Sequence, residues 1–300
     1  MQRTTRGMLA FLYALAGAPA AIAAQDGPPS PAERYDSILA EYQAESGAFR
    51  KAATDEERKS AVERLDAFAL RFLELLEDHP KDPIALEAAL QTIRVVNSVD
   101  SLTELTWVMN ETAFPEGSRG EPVGRVVAFL RRDHLRSEKI GPICQRMSYG
   151  PRREYEAFLR SVLHTNPHPD VRGLACLALA QLLNGRLLKL DLVRDRPELA
   201  GRVERLFGLD RDETLRKRDR AEAARDVERF FEKAESEYRD VALPYGGTVG
   251  ERARSELFEL RHLAVGKAAP EIVGVDQEGR RLELGDYRGR VVLLDFWQEL

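Results

Sequence analysis

Apolar residues recur three or four positions apart along most of the chain before residue 264, and this spacing places them on one face of successive α-helices. Three helices are predicted to begin with a capping box, in which a hydroxyl and a glutamate three residues later accept each other's backbone N–H groups. The boxes pair Ser30 with Glu33, Thr54 with Glu57, and Thr248 with Glu251. The pattern predicts a mainly α protein, with a large helical domain over residues 30–263 built as a stack of helical hairpins.

Two prolines, Pro80 and Pro83, interrupt the helical pattern after the second helix. Proline lacks a backbone N–H and cannot continue a helix, so the next helix is predicted to begin after them. The stripe from Leu86 to Val96 forms that third helix, and a separate helix is predicted around Leu102 to Met109.

The apolar stretch from Pro169 to Leu179 resembles the second helix of a HEAT-type repeat. The Asn184-Gly185 pair after it is predicted to end this helix as a C-cap. The sequence has one such match, whereas a solenoid needs about three stacked repeats to bury a continuous core. The pattern therefore favours a helical stack rather than a HEAT array.

The stretch from Asp210 to Asp240 is the most highly charged, and its apolar positions fall three or four residues apart. This predicts a long amphipathic helix. Because its charges are of both signs, we interpret it as a surface helix with a solvated face, with an interface for a protein or a neighbouring domain as the alternative.

The first 24 residues have the features of a secretory signal peptide. Two arginines precede an apolar run, Met8 to Ala18, and small residues follow it. The run is short for the ~20 residues that a membrane-spanning helix needs, so we expect cleavage near Ala23 or Ala24 rather than a retained anchor. Residues 25–29 are a short Pro/Gly linker. The mature chain is predicted to be secreted or periplasmic, with no membrane span after cleavage.

The charge balance excludes several classes of partner. The chain has 45 Lys and Arg against 50 Asp and Glu, so no strong field of one sign favours nucleic acid or an anionic membrane. No cofactor is predicted.

The cysteines and histidines do not form a recognisable reactive site. Cys176 lies in an apolar run, where a thiol usually behaves as a small buried hydrophobe. A disulfide between Cys144 and Cys176 is left open, because sequence does not give the distance between their Cα atoms. His164 and His168 are four residues apart, but Pro167 and Pro169 break the helix that would place the two histidines on one face. We therefore interpret them as surface loop histidines and expect no metal site.

The character of the sequence changes at residue 265. Three short strands are predicted, Glu271 to Val275, Arg281 to Leu284 and Val291 to Trp297, and the first two flank the turn Asp276 to Gly279. The third is a continuous apolar run, which is typical of the middle of a sheet that is covered on both faces.

These residues resemble the start of the thioredoxin-like redoxin (AhpC/TSA) superfamily, and are most similar to extracytoplasmic thiol-disulfide oxidoreductases of the TlpA and ResA kind. The resemblance is carried by Val265-Gly266-Lys267-Ala268-Ala269-Pro270, by Asp276 and Gly279, and by the run from Leu284 to Trp297, Leu-Gly-Asp-Tyr-Arg-Gly-Arg-Val-Val-Leu-Leu-Asp-Phe-Trp. It covers about the last 36 residues, 265–300, which would be the incomplete amino-terminal part of such a domain. Ile272 stands where the family often has Phe.

In the family, the Phe-Trp strand end is followed within a few residues by Trp-Cys-x-x-Cys at a helix N-terminus. The first cysteine attacks a substrate disulfide as a thiolate and the second resolves the mixed disulfide. Here Gln298-Glu299-Leu300 follows Trp297, and the chain has no Cys-x-x-Cys pair. We expect a truncated or frameshifted redoxin that is inactive alone, and we assign no catalytic, cofactor-binding or metal-binding residue.

The resemblance implies a protein thiol or disulfide as the partner and leaves the peroxiredoxin branch open. An alternative function is an extracytoplasmic helical scaffold that binds a protein without catalysis. The tail itself has an alternative interpretation as a small β-hairpin that packs on the helices.

Overall fold

The computed structural model of the protein describes residues 28–110, 120–150, 152–199, 220–263 and 266–296. Nine α-helices fall in these ranges and make the protein mainly helical, as predicted. In chain order they are α1 (Pro31–Lys51), α2 (Asp55–Asp78), α3 (Ile84–Asn110), α4 (Gly120–Phe129), α5 (Gly141–Met147), α6 (Arg153–Thr165), α7 (Pro169–Asp195), α8 (Arg220–Glu237) and α9 (Val249–Phe258). The predicted signal peptide lies outside the described residues.

Helices α1 and α2 form the predicted antiparallel hairpin. Both predicted capping boxes are present, at Ser30 and at Thr54. Two cross-helix ion pairs run in opposite chain directions, Arg71 with Glu41 at 2.6 Å and Arg64 with Glu45 at 2.8 Å, as an antiparallel arrangement requires. Two aromatic contacts also join the helices, a tilted one between Tyr35 and Phe72 and an edge-on one between Tyr42 and Phe68.

The prediction of two separate helices after Pro83 is wrong. Helix α3 runs without a break from Ile84 to Asn110. The residues between the two predicted stripes are themselves buried, including Asn97 and Val99, so packing holds this stretch helical although its polar residues weaken the apolar pattern.

Helix α7 is the central helix of the second half of the molecule. By length and composition alone Pro169–Leu192 could cross a membrane, but 67% of that window is buried inside the protein, as in a core helix. The predicted C-cap at Asn184-Gly185 is wrong, because the helix continues for ten more residues to Asp195. Beyond the glycine, Arg186 is buried in an ion pair with Glu156 of α6, and this tertiary contact outweighs the local stop signal.

The described part of the charged stretch Asp210 to Asp240 is helix α8, which confirms an amphipathic helix from residue 220 onward. Its predicted interior positions Val227, Phe231 and Ala234 are buried against α7 and α9. The third predicted capping box, at Thr248, begins α9.

The carboxy-terminal region contains a two-stranded antiparallel sheet. Strand β1 (Val273–Val275) pairs with β2 (Arg281–Glu283), with Gly274 opposite Leu282, so the predicted hairpin is present. The predicted third strand, Val291 to Trp297, is not formed in its described part, residues 291–296, which pair with no strand. A strand needs the N–H and C=O groups of a neighbour, and nothing in the described ranges supplies them here.

The continuity of α7 gives a test with two glycines. A Cβ added at Gly185 or at Gly246 meets nothing within 4 Å. Of these two glycines, only Gly246 has a positive φ, +97°. We expect Gly185→Ala to raise the free energy of unfolding by about 0.5–1 kcal/mol, because alanine is the better helix former. Gly246→Ala should lower it by about 1 kcal/mol. Urea denaturation followed by circular dichroism measures both, and destabilisation by Gly185→Ala would support a left-handed C-cap instead.

Candidate functional site

The hairpin turn between β1 and β2 lies in the segment that carries the family resemblance. The Asp276 carboxylate oxygen Oδ1 accepts hydrogen bonds from the backbone N–H groups of Glu278 and Arg280, both at 2.9 Å. Backbone hydrogen bonding, from Arg280 above all, lowers the pKa of the Asp276 carboxyl below its ordinary value. Gly279 follows with φ +78°, in the left-handed region that favours glycine. Asp276 and Gly279 therefore build the turn.

A short 3₁₀ turn, Leu284–Tyr287, follows the hairpin. The backbone N–H of Gly285 donates to Oε1 of Glu271 at 2.8 Å, and that of Leu284 donates to the carbonyl of Ile272 at 2.9 Å. A Cβ at position 285 would lie 2.7 Å from Oε2 of Glu271, so the carboxylate of Glu271 would have to shift if residue 285 had a side chain. The Leu-Gly-Asp-Tyr part of the resemblance is thus a turn that Glu271 holds in place.

The segment after this turn, residues 291–296, is apolar and open to solvent. Val291, Leu293 and Phe296 have exposed fractions of 103%, 92% and 83%. Each such side chain gains about 1.5–3 kcal/mol when it is fully buried, so the exposure is unfavourable for a free chain. A contiguous exposed apolar run of this kind is typical of a surface that binds another molecule or of a segment prone to aggregation.

The two cysteines are structural. Cys144 in α5 and Cys176 in α7 are both buried and free, so the disulfide that the sequence left open is not formed. Burial raises the pKa of each thiol to about 12. The Cys176 Sγ lies 3.5 Å from the carbonyl oxygen of Phe230, to which it donates. Neutral buried thiols are poor nucleophiles, so neither can replace a redoxin cysteine.

The two histidines are placed partly as predicted. His168 precedes α7 as its N-cap residue, whereas His164 lies in the last turn of α6 and not in a loop. The helix α6 extends this far because its apolar stripe, ending at Val162, is buried against α7. Within the described ranges, no group of three His, Cys, Asp or Glu residues could hold a metal ion.

Two surface grooves were not predicted from the sequence. The first lies between α6 and α8 and has a volume of ≈ 550 Å³. Its basic side chains are compensated: Arg160 pairs with Glu156, Arg229 with Asp226, and Lys233 with Glu237. Because these positive charges are already paired with carboxylates, they do not favour the binding of an anionic ligand in this groove.

The second groove, which we call the Arg146 groove, has a volume of ≈ 470 Å³. It is lined by residues of α1, α2, α3 and the end of α5 with the turn after it: Tyr42, Ser46, Phe49, Arg50, Leu65, Asn97, Ser98, Val99, Ser101, Arg146 and Tyr149. These residues are far apart in sequence, so no spacing pattern could group them. The one local feature of the sequence that points to the groove is the position of Arg146 among apolar residues that are buried, such as Cys144 and Met147.

No protein-family model, curated protein or solved structure matches the chain. The carboxy-terminal segment and the Arg146 groove are the two features that bear on its function.

The burial of the cysteines predicts their reactivity. In the native protein at mildly alkaline pH, we expect Cys144 and Cys176 to resist a thiol-specific chromogenic reagent, because thiols with a pKa of about 12 are almost entirely neutral there. In urea both should react at once. Rapid labelling of either thiol without denaturant would contradict the buried, unreactive assignment.

Proposed function

We propose that the protein is an extracytoplasmic member of the thioredoxin-like redoxin superfamily, of the TlpA/ResA thiol-disulfide oxidoreductase type. Residues 265–300 would be the opening part of its redoxin domain. The observation that carries the proposal is the amino-acid sequence from Asp286 to Trp297, which matches the family in the order of its residues. It follows a hairpin whose turn is built by Asp276 and Gly279. The signal-peptide pattern of the first 24 residues supports export.

The exposed segment 291–296 supports the same proposal on physical grounds. A central strand of an α/β domain is apolar along its whole length because helices cover both faces of its sheet. Residues Val291 to Leu294 have that composition and stand uncovered. They would become buried when strands on both edges and helices on both faces complete the fold.

The 300 residues contain no Cys-x-x-Cys pair to carry out the chemistry of this proposal. Thiol-disulfide exchange needs a thiolate at a helix N-terminus and a second cysteine that resolves the mixed disulfide. The two cysteines in the chain are 32 residues apart and buried. We therefore expect this chain by itself to give no turnover in an insulin-reduction assay with dithiothreitol.

A chimera tests the assignment of the tail. Residues 266–297 would replace the corresponding opening segment of a TlpA-like redoxin domain that retains its own Cys-x-x-Cys. If the tail is a redoxin opening segment, the chimera folds and reduces insulin at a rate comparable with the parent domain, because Val291 to Trp297 then supplies the central strand. An insoluble or inactive chimera, beside an active parent, would contradict the proposal.

One substitution, made both in the intact chain and in the chimera, tests whether the segment is buried as a strand in the chimera. Leu293→Asp should leave the stability of the intact chain nearly unchanged, since Leu293 is 92% exposed there. In the chimera the same change would bury a carboxylate, which costs several kcal/mol, and should abolish folding. Equal activity of the chimera with and without Leu293→Asp would argue that the segment forms no central strand.

A second candidate function is an extracytoplasmic helical scaffold that binds a protein. It is favoured by the apolar core, which draws its buried residues from Tyr35 to Leu257 and none from residues 266–296. The helices thus form a packed body to which the tail contributes no buried side chain. Reading the coding sequence beyond the codon for Leu300 in every frame discriminates the two: Trp-Cys-x-x-Cys codons support the redoxin proposal, and their absence supports the scaffold.

A further inference from the structure

We propose that the Arg146 groove is a binding site for a carboxylate carried on an aromatic or aliphatic body, and that Arg146 holds the carboxylate. The groove, at ≈ 470 Å³, falls within the range of about 300–1,000 Å³ that is usual for small-molecule sites. This site is independent of the redoxin proposal, because every lining residue belongs to the helical body.

Arg146 is the central observation. Its Nε is buried and has no hydrogen-bond partner, and its guanidinium lies over the ring of Tyr149, 5.6 Å from the ring centre. Among the ion pairs of the described residues, none involves Arg146. Burial first, and then the like charge of Arg94, lowers the pKa of the Arg146 guanidinium. A partly desolvated guanidinium without a counter-ion is what an anionic ligand would stabilise.

Two further arginines add to the positive charge at the groove. Arg50, which lines it, has a single hydrogen bond in the described structure, from Nε to the carbonyl of Ser46 at 3.4 Å. Arg94 donates only to Gln91, at 3.4 Å, and lies one helical turn before the lining residue Ser98. Elsewhere on the helical body most arginines have a carboxylate partner, as Arg71 has Glu41. The three arginines here lack one within the described ranges.

The walls of the groove determine what kind of carboxylate fits. Phe49, Leu65 and Val99 provide apolar surface, and Tyr42 is held in position by its edge-on contact with Phe68, with ring centres 5.7 Å apart. Three serines belong to the same lining, Ser46, Ser98 and Ser101, and the hydroxyl of Ser101 donates to the carbonyl of Asn97 at 2.9 Å. An apolar wall beside a guanidinium fork matches an aromatic or branched aliphatic acid, since the fork binds a planar carboxylate in bidentate fashion.

A singly charged ligand fits this electrostatic setting better than a phosphate dianion. Arg50 lies in the last turn of α1 and Arg146 in the last turn of α5, and helix C-termini carry a partial negative charge. These two ends offset part of the arginine charge. The lining includes no glycine, and therefore no Gly-rich loop whose backbone N–H groups would cradle a phosphate.

The groove is preorganised by the buried core behind it. The carbonyl of Arg146 accepts a hydrogen bond from Nδ2 of Asn97 at 2.8 Å, and Oδ1 of Asn97 in turn accepts one from the hydroxyl of Tyr155 at 3.0 Å. Asn97 and Tyr155 are 2% and 0% exposed. The backbone of Arg146 therefore cannot shift freely, and less conformational entropy is lost when a ligand binds.

Isothermal titration calorimetry of the full chain tests the proposal with matched probes. Hydrocinnamate should bind, whereas hydrocinnamamide, which has the same body without the charge, should bind at least about tenfold more weakly because charge-assisted hydrogen bonds are lost. A short peptide that ends in a free phenylalanine carboxylate, beside its amidated form, distinguishes a peptide terminus from a free acid as the source. Inorganic phosphate is the third probe.

Substitutions locate the site. Arg146→Gln should weaken hydrocinnamate binding by at least about tenfold, and Arg50→Gln by a few-fold. Arg132→Gln is the matched control, because Arg132 also lies over an aromatic ring but pairs with Asp133 away from the groove, and it should leave binding unchanged. If Arg146→Gln does not fold, Arg50→Gln and the acid-amide comparison decide the matter. Equal binding of acid and amide, phosphate binding as tight as hydrocinnamate, or wild-type binding by the arginine variants would overturn the proposal.

Discussion

A short chain of buried hydrogen bonds connects the two halves of the helical body, the first made of α1 to α4 and the second of α5 to α9. Tyr155 of α6 donates to Asn97 of α3, and Asn97 donates to the carbonyl of Arg146 at the end of α5. Burial raises the pKa of Tyr155, so its hydroxyl stays protonated and remains a donor. Beside it, Arg152 forms two hydrogen bonds with Asp100, at 3.0 and 3.1 Å. Because an unsatisfied buried polar group is costly, these groups specify how the halves pack.

The same constraint relates the core to the groove. Helices α1 to α3 supply one wall and α5 supplies Arg146, so the groove exists only where the two halves meet. Gly150 allows this junction, since a Cβ there would lie 2.3 Å from Cε2 of Tyr155 and 2.4 Å from Oδ1 of Asn97. A binding site at such a junction is stabilised by the core and does not depend on the carboxy-terminal tail. The helical body can therefore have a ligand of its own, whatever the redox chemistry of the proposed domain.

Local signals predicted most of this fold because they act within one helical turn. The capping boxes at Ser30, Thr54 and Thr248, and the hairpin turn at Asp276, each depend on neighbours a few residues away. Predictions failed where distant contacts decide the outcome. Burial beneath other helices keeps α3 and α7 continuous through weak or stop-like sequences, and the apolar run after Val291 lacks the neighbouring strand that its composition implies. The Arg146 groove draws on residues about a hundred positions apart, which no motif could group.

Native-state amide hydrogen exchange of the intact chain, read by mass spectrometry, tests most directly whether the buried hydrogen bonds join the two halves. The slowest amides of α2 and of α7 should exchange through one common opening in the unaltered protein. Tyr155→Phe leaves Oδ1 of Asn97 without its donor and should lower the free energy of that opening by about 1–3 kcal/mol in both helices. Tyr245→Phe, at a tyrosine that is 92% exposed, should change neither. Separate openings of α2 and α7 in the unaltered protein, or a change confined to one of them in Tyr155→Phe, would contradict the account.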